Sequence, residues 1–109
     1  MLASTAVIDL QLYEKRFAEK GVALITPAGG LQEGIMDTIR KIKTGRYGQQ
    51  ERAALQAAAA GMVARGAEAL LVACTELSII AGEIDVPVPC YDSAQVLAEA
   101  IVRTARETG

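Results

Sequence analysis

The apolar residues of this chain recur at two spacings, and each spacing predicts a type of element. Over 7–20 they fall every three or four residues, which gives one apolar helix face that ends at Gly21. The same spacing predicts helices over 31–44 and 49–65. It also predicts a last helix capped by Asp92 or Ser93. The apolar stripe of this last helix contains Val96, Leu97, Ala100 and Ile101.

Short continuous apolar runs predict strands that are buried on both faces. Two such runs lie at 22–25 and 69–73. A weaker run at 86–91 contains two prolines, which cannot donate to a sheet, so this strand is expected to be short or at an edge. A short helix is expected over 77–81. The alternation predicts one α/β domain over 1–109, a three-layer sandwich with a parallel sheet of three to four strands between helices.

The first five residues resemble the end of a strand and the loop that follows it. The body of that strand is missing from the sequence. The domain is therefore expected to lack its opening strand.

Composition narrows the class of protein. Of 109 residues, 51% are hydrophobic, so general disorder is excluded, and the formal net charge of −2 argues against nucleic-acid binding. No apolar run reaches the roughly 20 residues of a membrane span, and no signal peptide is visible. We therefore expect a cytoplasmic protein with no membrane partner.

The chain contains no His, which removes the commonest general base and metal ligand. Its two cysteines, Cys74 and Cys90, are too few for a disulfide framework or a zinc site. We expect no metal and no cofactor, with both thiols free.

Candidate chemistry lies where strands end, because open α/β sheets bind ligands at the carboxyl ends of their strands. Polar turns follow the predicted strand ends at Ser4-Thr5, Thr26-Pro27, Cys74-Thr75-Glu76 and Asp92-Ser93. Cys74 precedes a helix, whose N-terminus is expected to lower the thiol pKa from about 8.5 and favour a thiolate base or nucleophile. Thr75 offers a hydroxyl and an N–H to an anionic substrate group.

Ordinary structural roles stay open for the same residues. Cys74 could simply fill the core, and Cys90 inside an apolar strand is interpreted as core filler. Ser4-Thr5 and Asp92-Ser93 are also ordinary helix N-caps. The basic cluster at 40–46 is interpreted as a solvated helix end.

One string, over 66–77, reads Gly-Ala-Glu-Ala-Leu-Leu-Val-Ala-Cys-Thr-Glu-Leu. It resembles the second catalytic motif of the aspartate/glutamate racemase superfamily, in which a buried strand ends in Cys-Thr-Glu. The other stretches that resemble the family follow in its order over nearly the whole chain: 12–16, Thr26-Pro27, Gln32 with Ile35 and Met36, 86–89, and 91–93.

This resemblance implies cofactor-independent racemisation or a related isomerisation. Two α/β domains face each other in the family, and each contributes one Cys to proton transfer at the α-carbon. By this resemblance Cys74 is the second-domain acid/base, Thr75 binds a substrate carboxylate and Glu76 supports the site. Ser4 and Thr5 match the substrate-binding loop.

Two departures from the family pattern leave three hypotheses. The loop reads Ala6-Val7 where the family has Gly-Thr, and the first domain with its Cys is absent. The chain is then a racemase second-domain portion with little activity alone, a homo-oligomer that brings two Cys74 thiols together, or a non-catalytic binding module. The expected partners are a small dicarboxylate or amino acid and either a second copy or the missing N-terminal domain.

Overall fold

A computed structural model describes residues 1–108. The elements in chain order are α1 (Thr5–Leu10), α2 (Leu12–Glu19), α3 (Gly29–Lys43), α4 (Gln49–Ala64), β1 (Leu70–Val72), α5 (Thr75–Ala81), β2 (Cys90–Asp92) and α6 (Ser93–Thr108). The predicted alternation of helices and parallel strands is confirmed, and α3, α4, β1 and α5 lie within a few residues of their predicted positions.

The sheet is smaller than predicted. Within residues 1–108 it has two parallel strands, with Leu70 opposite Cys90 and Val72 opposite Asp92. Leu2 adds a single parallel bridge to Val72, so the first residues do lie beside β1. Leu2 accepts from the Ala73 N–H at 2.9 Å and donates to Leu71 O at 2.8 Å. The three-layer sandwich with three to four strands is therefore not confirmed.

The predicted strand at 22–25 is wrong. This stretch has no regular secondary structure. A strand requires successive backbone hydrogen bonds to a neighbour, and here Ile25 O accepts one bond, from the Met1 amino group at 2.6 Å. Val22 is exposed, whereas Leu24 packs beside Met1, Ala3 and Ala73.

The predicted helix over 7–20 is two helices. The Ser4 hydroxyl accepts from the Val7 N–H, so α1 begins earlier, at Thr5. Gln11 then adopts a left-handed conformation with φ of 56°, and its N–H bonds to Ile8 O. This single residue ends α1 and precedes α2. An L-residue rarely takes this conformation, and the sequence contains no Gly or Asn there to announce the break.

The core forms on both faces of β1, because successive strand residues point to opposite sides. Leu70 and Val72 belong to the larger cluster, which includes buried side chains of α3, α4 and α5. Leu71 and Ala73 belong to the smaller one, which includes side chains of α1 and α2. The largest fully buried side chains are Leu2, Ile35, Leu55, Met62, Leu70, Leu77, Ile80 and Val72.

The connection from α5 to β2 is held against α4. The Gln56 side chain donates to Asp85 O at 2.7 Å and accepts from Asp85 N at 2.8 Å. Arg52 and Glu83 form an ion pair alongside. This two-point attachment places β2 beside β1 although residues 86–89 have no regular structure.

One burial expectation is wrong, and one apolar helix face is exposed. Cys90 is exposed rather than core filler, because it lies on the outer strand of the small sheet. The stripe of α6 is not covered within the described chain: Val96, Leu97 and Ile101 are exposed. Among residues 1–108, no helix combines the length and apolarity that a membrane span requires.

Candidate functional site

The register of the sheet brings three polar segments to one edge. Leu2 and Asp92 both lie opposite Val72. The residues that follow Leu2 and Val72 therefore leave the sheet side by side, next to Asp92, at the carboxyl ends of parallel strands. Ser4-Thr5, Cys74-Thr75-Glu76 and Asp92-Ser93, the turns predicted from the sequence, occupy this edge.

Cys74 lies between β1 and α5 and is half-buried. Its backbone is extended, and its carbonyl accepts from the Ser78 N–H at 3.1 Å in the first turn of α5. The Sγ–H donates to Glu76 Oε2 at 3.3 Å. Cys74 thus packs against the larger core cluster without being fully buried, and its thiol proton is directed at a carboxylate.

The prediction that the thiol pKa is lowered is wrong. Burial raises the pKa of Cys74 above its ordinary value, and hydrogen bonding to Glu76 and its negative charge raise it further. The backbone N–H groups of Leu77 and Glu76 act in the opposite direction but do not outweigh burial. Desolvation disfavours the charged form of a thiol, so Cys74 is protonated at neutral pH.

Glu76 lies at the centre of the polar group. Its Oε2 accepts from both the Cys74 thiol and the Thr75 hydroxyl, the latter at 3.1 Å, and its Oε1 lies 3.8 Å from Nζ of Lys43. Its own backbone N–H and the two side-chain donors lower the pKa of Glu76, with a smaller contribution from Lys43. Glu76 is therefore an ionised acceptor beside a neutral thiol.

The opening loop, residues 3–5, is hydrogen-bonded to α3. Ser4 Oγ accepts from Val7 N at 3.3 Å, as expected of an N-cap. The Gln32 side-chain amide donates to Ala3 O at 3.0 Å and to Thr5 Oγ1 at 3.2 Å. Thr5 is exposed, so its hydroxyl is accessible to a ligand.

On the other side of Cys74, Asp92 acts as the predicted helix cap. Its Oδ1 accepts from Ala94 N at 2.9 Å and from the Ser78 hydroxyl at 2.8 Å. Ser78 Oγ also lies 3.1 Å from Cys74 O. Asp92 therefore has a structural role, joining α5 to the start of α6. Thr26, the remaining predicted turn residue, accepts through its carbonyl from Arg65.

Sequence reasoning missed Lys43, which was interpreted with the basic cluster as a solvated helix end, and gave no role to Gln32. Gln32 and Lys43 are eleven residues apart on α3, which is three helical turns and returns to the same face. Gln32 contacts the opening loop and Lys43 contacts Glu76. This spacing was visible in the sequence, but which face of α3 meets the site was not.

Among the described residues, no group of three or more His, Cys, Asp and Glu side chains could hold a metal ion. The arrangement offers instead a protonated thiol, an ionised carboxylate, hydroxyl donors and one nearby ammonium. Such a set can transfer a proton and bind an anionic group.

A comparison with protein families agrees with the resemblance of the Cys-Thr-Glu string. The family model described as Asp/Glu/Hydantoin racemase matches residues 1–101. The match includes the opening loop, α3, the Cys74 turn and most of α6. It supports a racemase-type isomerase that acts on a small amino-acid substrate. This chain belongs to the Asp/Glu/hydantoin racemase family.

Proposed function

We propose that this chain provides one side of a cofactor-independent racemase site in which Cys74 transfers a proton at the α-carbon of an acidic amino acid. The observation that supports this most directly is the contact between the Cys74 thiol and the Glu76 carboxylate at the carboxyl edge of the sheet. A thiol with a neighbouring acceptor at a ligand-binding edge is suited to acid–base work.

In this proposal the resting form of Cys74 is the acid. A base on the opposite face removes the α-proton and leaves a carbanion. Cys74 then gives its proton to the α-carbon, so a C–H bond forms, the S–H bond breaks and a thiolate remains. In the reverse direction the thiolate removes the α-proton. The raised pKa of Cys74 favours the donor role, because the thiol keeps its proton until a carbanion is present.

Substrate carboxylates are expected to meet the donors around this thiol. Thr5 and Thr75 present exposed hydroxyls, although the Thr75 hydroxyl has to leave Glu76 before it can donate to a substrate, and Lys43 provides the positive charge. Lys43 is paired with Glu76 only at 3.8 Å, near the limit of an ion pair, and its side chain is well exposed. A substrate carboxylate can therefore bind Lys43 with little loss of existing contacts.

The second proton-transfer group must come from outside this edge. Cys90 lies opposite Leu70, at the far end of the short strand from Asp92, and is exposed. It is therefore not placed to act on the other face of a substrate beside Cys74. We infer that the opposite thiol is supplied by a partner domain or by a second copy of this chain.

The test is deuterium incorporation at the α-carbon in D2O, with the separate enantiomers of aspartate, glutamate and a hydantoin. Exchange by the purified chain, rising more steeply than linearly with protein concentration, is expected if two copies form the site. Cys74→Ser should abolish the exchange and Cys90→Ser should leave it unchanged. Exchange that survives Cys74→Ser would contradict the proposal.

A non-catalytic binding module is the second candidate. The neutral state of Cys74 and the replacement of the family's Gly-Thr by Ala6-Val7 favour it. Calorimetry distinguishes the two functions: a module binds L-aspartate in wild type and in Cys74→Ser alike, with no exchange in either. Exchange in the wild type that disappears in Cys74→Ser excludes the module.

A further inference from the structure

We propose that Gln32 is a positioning residue that orients the Thr5 hydroxyl toward the substrate carboxylate. The inference concerns how one donor of the site is held, and it rests on the proposed function. Gln32 lies in the second turn of α3, and its side chain reaches the opening loop at two points, Ala3 O and Thr5 Oγ1.

The chemistry of the two acceptors fixes the orientation of the Gln32 amide. A backbone carbonyl can only accept, so Nε2 must face Ala3 O, 3.0 Å away. The second proton on Nε2 then faces Thr5 Oγ1 at 3.2 Å. The Thr5 hydroxyl therefore accepts from Gln32, and its own proton remains available to a carboxylate.

The amide is retained in this orientation although it leaves Gln32 Oε1 buried and without a hydrogen-bond partner among the described residues. Rotating the amide by 180° would place the oxygen against Ala3 O and lose that bond, and it would reverse the bond to Thr5, whose hydroxyl would then have to donate. A carboxylate at this position could donate to neither group. It would instead take the Thr5 hydroxyl proton as an acceptor, which removes that donor from the substrate.

α3 supports the contact along its length. One turn after Gln32, Met36 Sδ accepts from Thr5 N at 3.3 Å, so two successive turns hold the same residue. Ile35 and Ile39 are buried in the core and fix the helix rotation. Because Lys43 on the same helix lies beside Glu76, one rigid element sets the position of the Thr5 hydroxyl and of the site's ammonium.

The direct test is the side-chain amide of Gln32 in 1H–15N spectra of the folded chain. Thr5→Val should shift one of its two proton signals upfield and accelerate that proton's exchange with water, while Thr5→Ser keeps both near their wild-type values. Glu33→Ala, on the neighbouring helix position, is the control and should change neither. Unchanged Gln32 signals in Thr5→Val would overturn the proposal, whether or not the chain binds a substrate.

The functional consequence is tested by a double-mutant cycle with L-aspartate as the probe. Gln32→Glu and Thr5→Val should each weaken binding roughly tenfold, as expected for loss of a hydrogen bond to a charged group, and the double variant no more than either. If the loss of affinity in the double variant were the product of the two single losses, Gln32 would not act through Thr5, and the inference would be overturned. No binding of L-aspartate by the wild type, with the spectral changes present, would instead count against the proposed function.

Discussion

The Sγ atom of Cys74 lies 3.3 Å from Oε2 of Glu76, two residues later in the chain. The helix turn that begins at Thr75 makes this contact possible, because it brings Glu76 back toward the residue that precedes the helix. Burial is the main cause that raises the pKa of the Cys74 thiol, and the hydrogen bond to the carboxylate and its charge add to this effect. An apparently reactive cysteine at a helix start is therefore held in its neutral form.

Removing the charge of Glu76 should make Cys74 more reactive. Glu76→Gln lowers the pKa of the thiol, since hydrogen bonding to the carboxylate and its charge both raise it. The thiolate fraction at pH 7 then increases, and alkylation by iodoacetamide is faster than in the parent chain. The rates are compared in a Cys90→Ser background, so that the measured alkylation is that of the Cys74 thiol.

The pH dependence of the alkylation rate tests whether the pKa of Cys74 is raised. In the parent chain the alkylation rate should rise through a midpoint above that of an unstructured cysteine peptide, because burial raises the pKa. Glu83→Gln, which removes a carboxylate paired with Arg52, is the matched control and should leave the profile in place. A midpoint at or below that of the peptide would contradict the neutral thiol.

Two leucines should respond differently to truncation. Leu55 is 1% exposed in the larger core cluster, so Leu55→Ala should lower the free energy of unfolding by about 2–5 kcal/mol. Leu97 is 61% exposed on α6, and Leu97→Ala should change the free energy of unfolding by less than about 0.5 kcal/mol. Urea unfolding of both variants measures the difference, and equal losses would show that α6 is covered in solution.

Two helical glycines differ in the space available for an added Cβ atom. A Cβ at Gly34 meets no atom within 4 Å, so Gly34→Ala should stabilise the chain by about 0.5–1 kcal/mol through helix propensity. At Gly61 the Cβ would lie 2.9 Å from Cδ1 of Leu31, which has to move. Gly61→Ala should therefore raise the free energy of unfolding by less than Gly34→Ala does. An equal increase would mean that Leu31 moves at no cost.

The break between α1 and α2 predicts an order of stability at Gln11. Its φ of 56° is left-handed, where a Cβ is unfavourable and β-branching more so. Gln11→Gly should stabilise the chain by up to about 1 kcal/mol, and Gln11→Val should destabilise it. Thermal unfolding should rank Gly above Gln above Val. The reverse order would show that the two helices are continuous in solution.

The helices α3 and α4 and the central strand β1 were predictable, and the two prolines of the run at 86–91 also indicated a short or edge strand, which β2 is. α3 and α4 have buried faces at the predicted spacing, and β1 is a continuous apolar run with helices on both sides. The strand predicted at 22–25 failed because an apolar run also needs a hydrogen-bonding neighbour. The interpretation of Cys90 as core filler failed because it followed the apolar run, whereas the outer strand of the sheet leaves this side chain exposed.

The sequence by itself determined the α/β alternation, the family of the chain and the candidate residues around Cys74, because these depend on local spacing and on one contiguous string. Only the tertiary structure decided the protonation state of Cys74, which follows from burial and from the direction of the Glu76 side chain. It also decided that Lys43 and Gln32 reach the site. Packing of Ile35 and Ile39 sets the rotation of α3, and no local pattern specifies what that helix face meets.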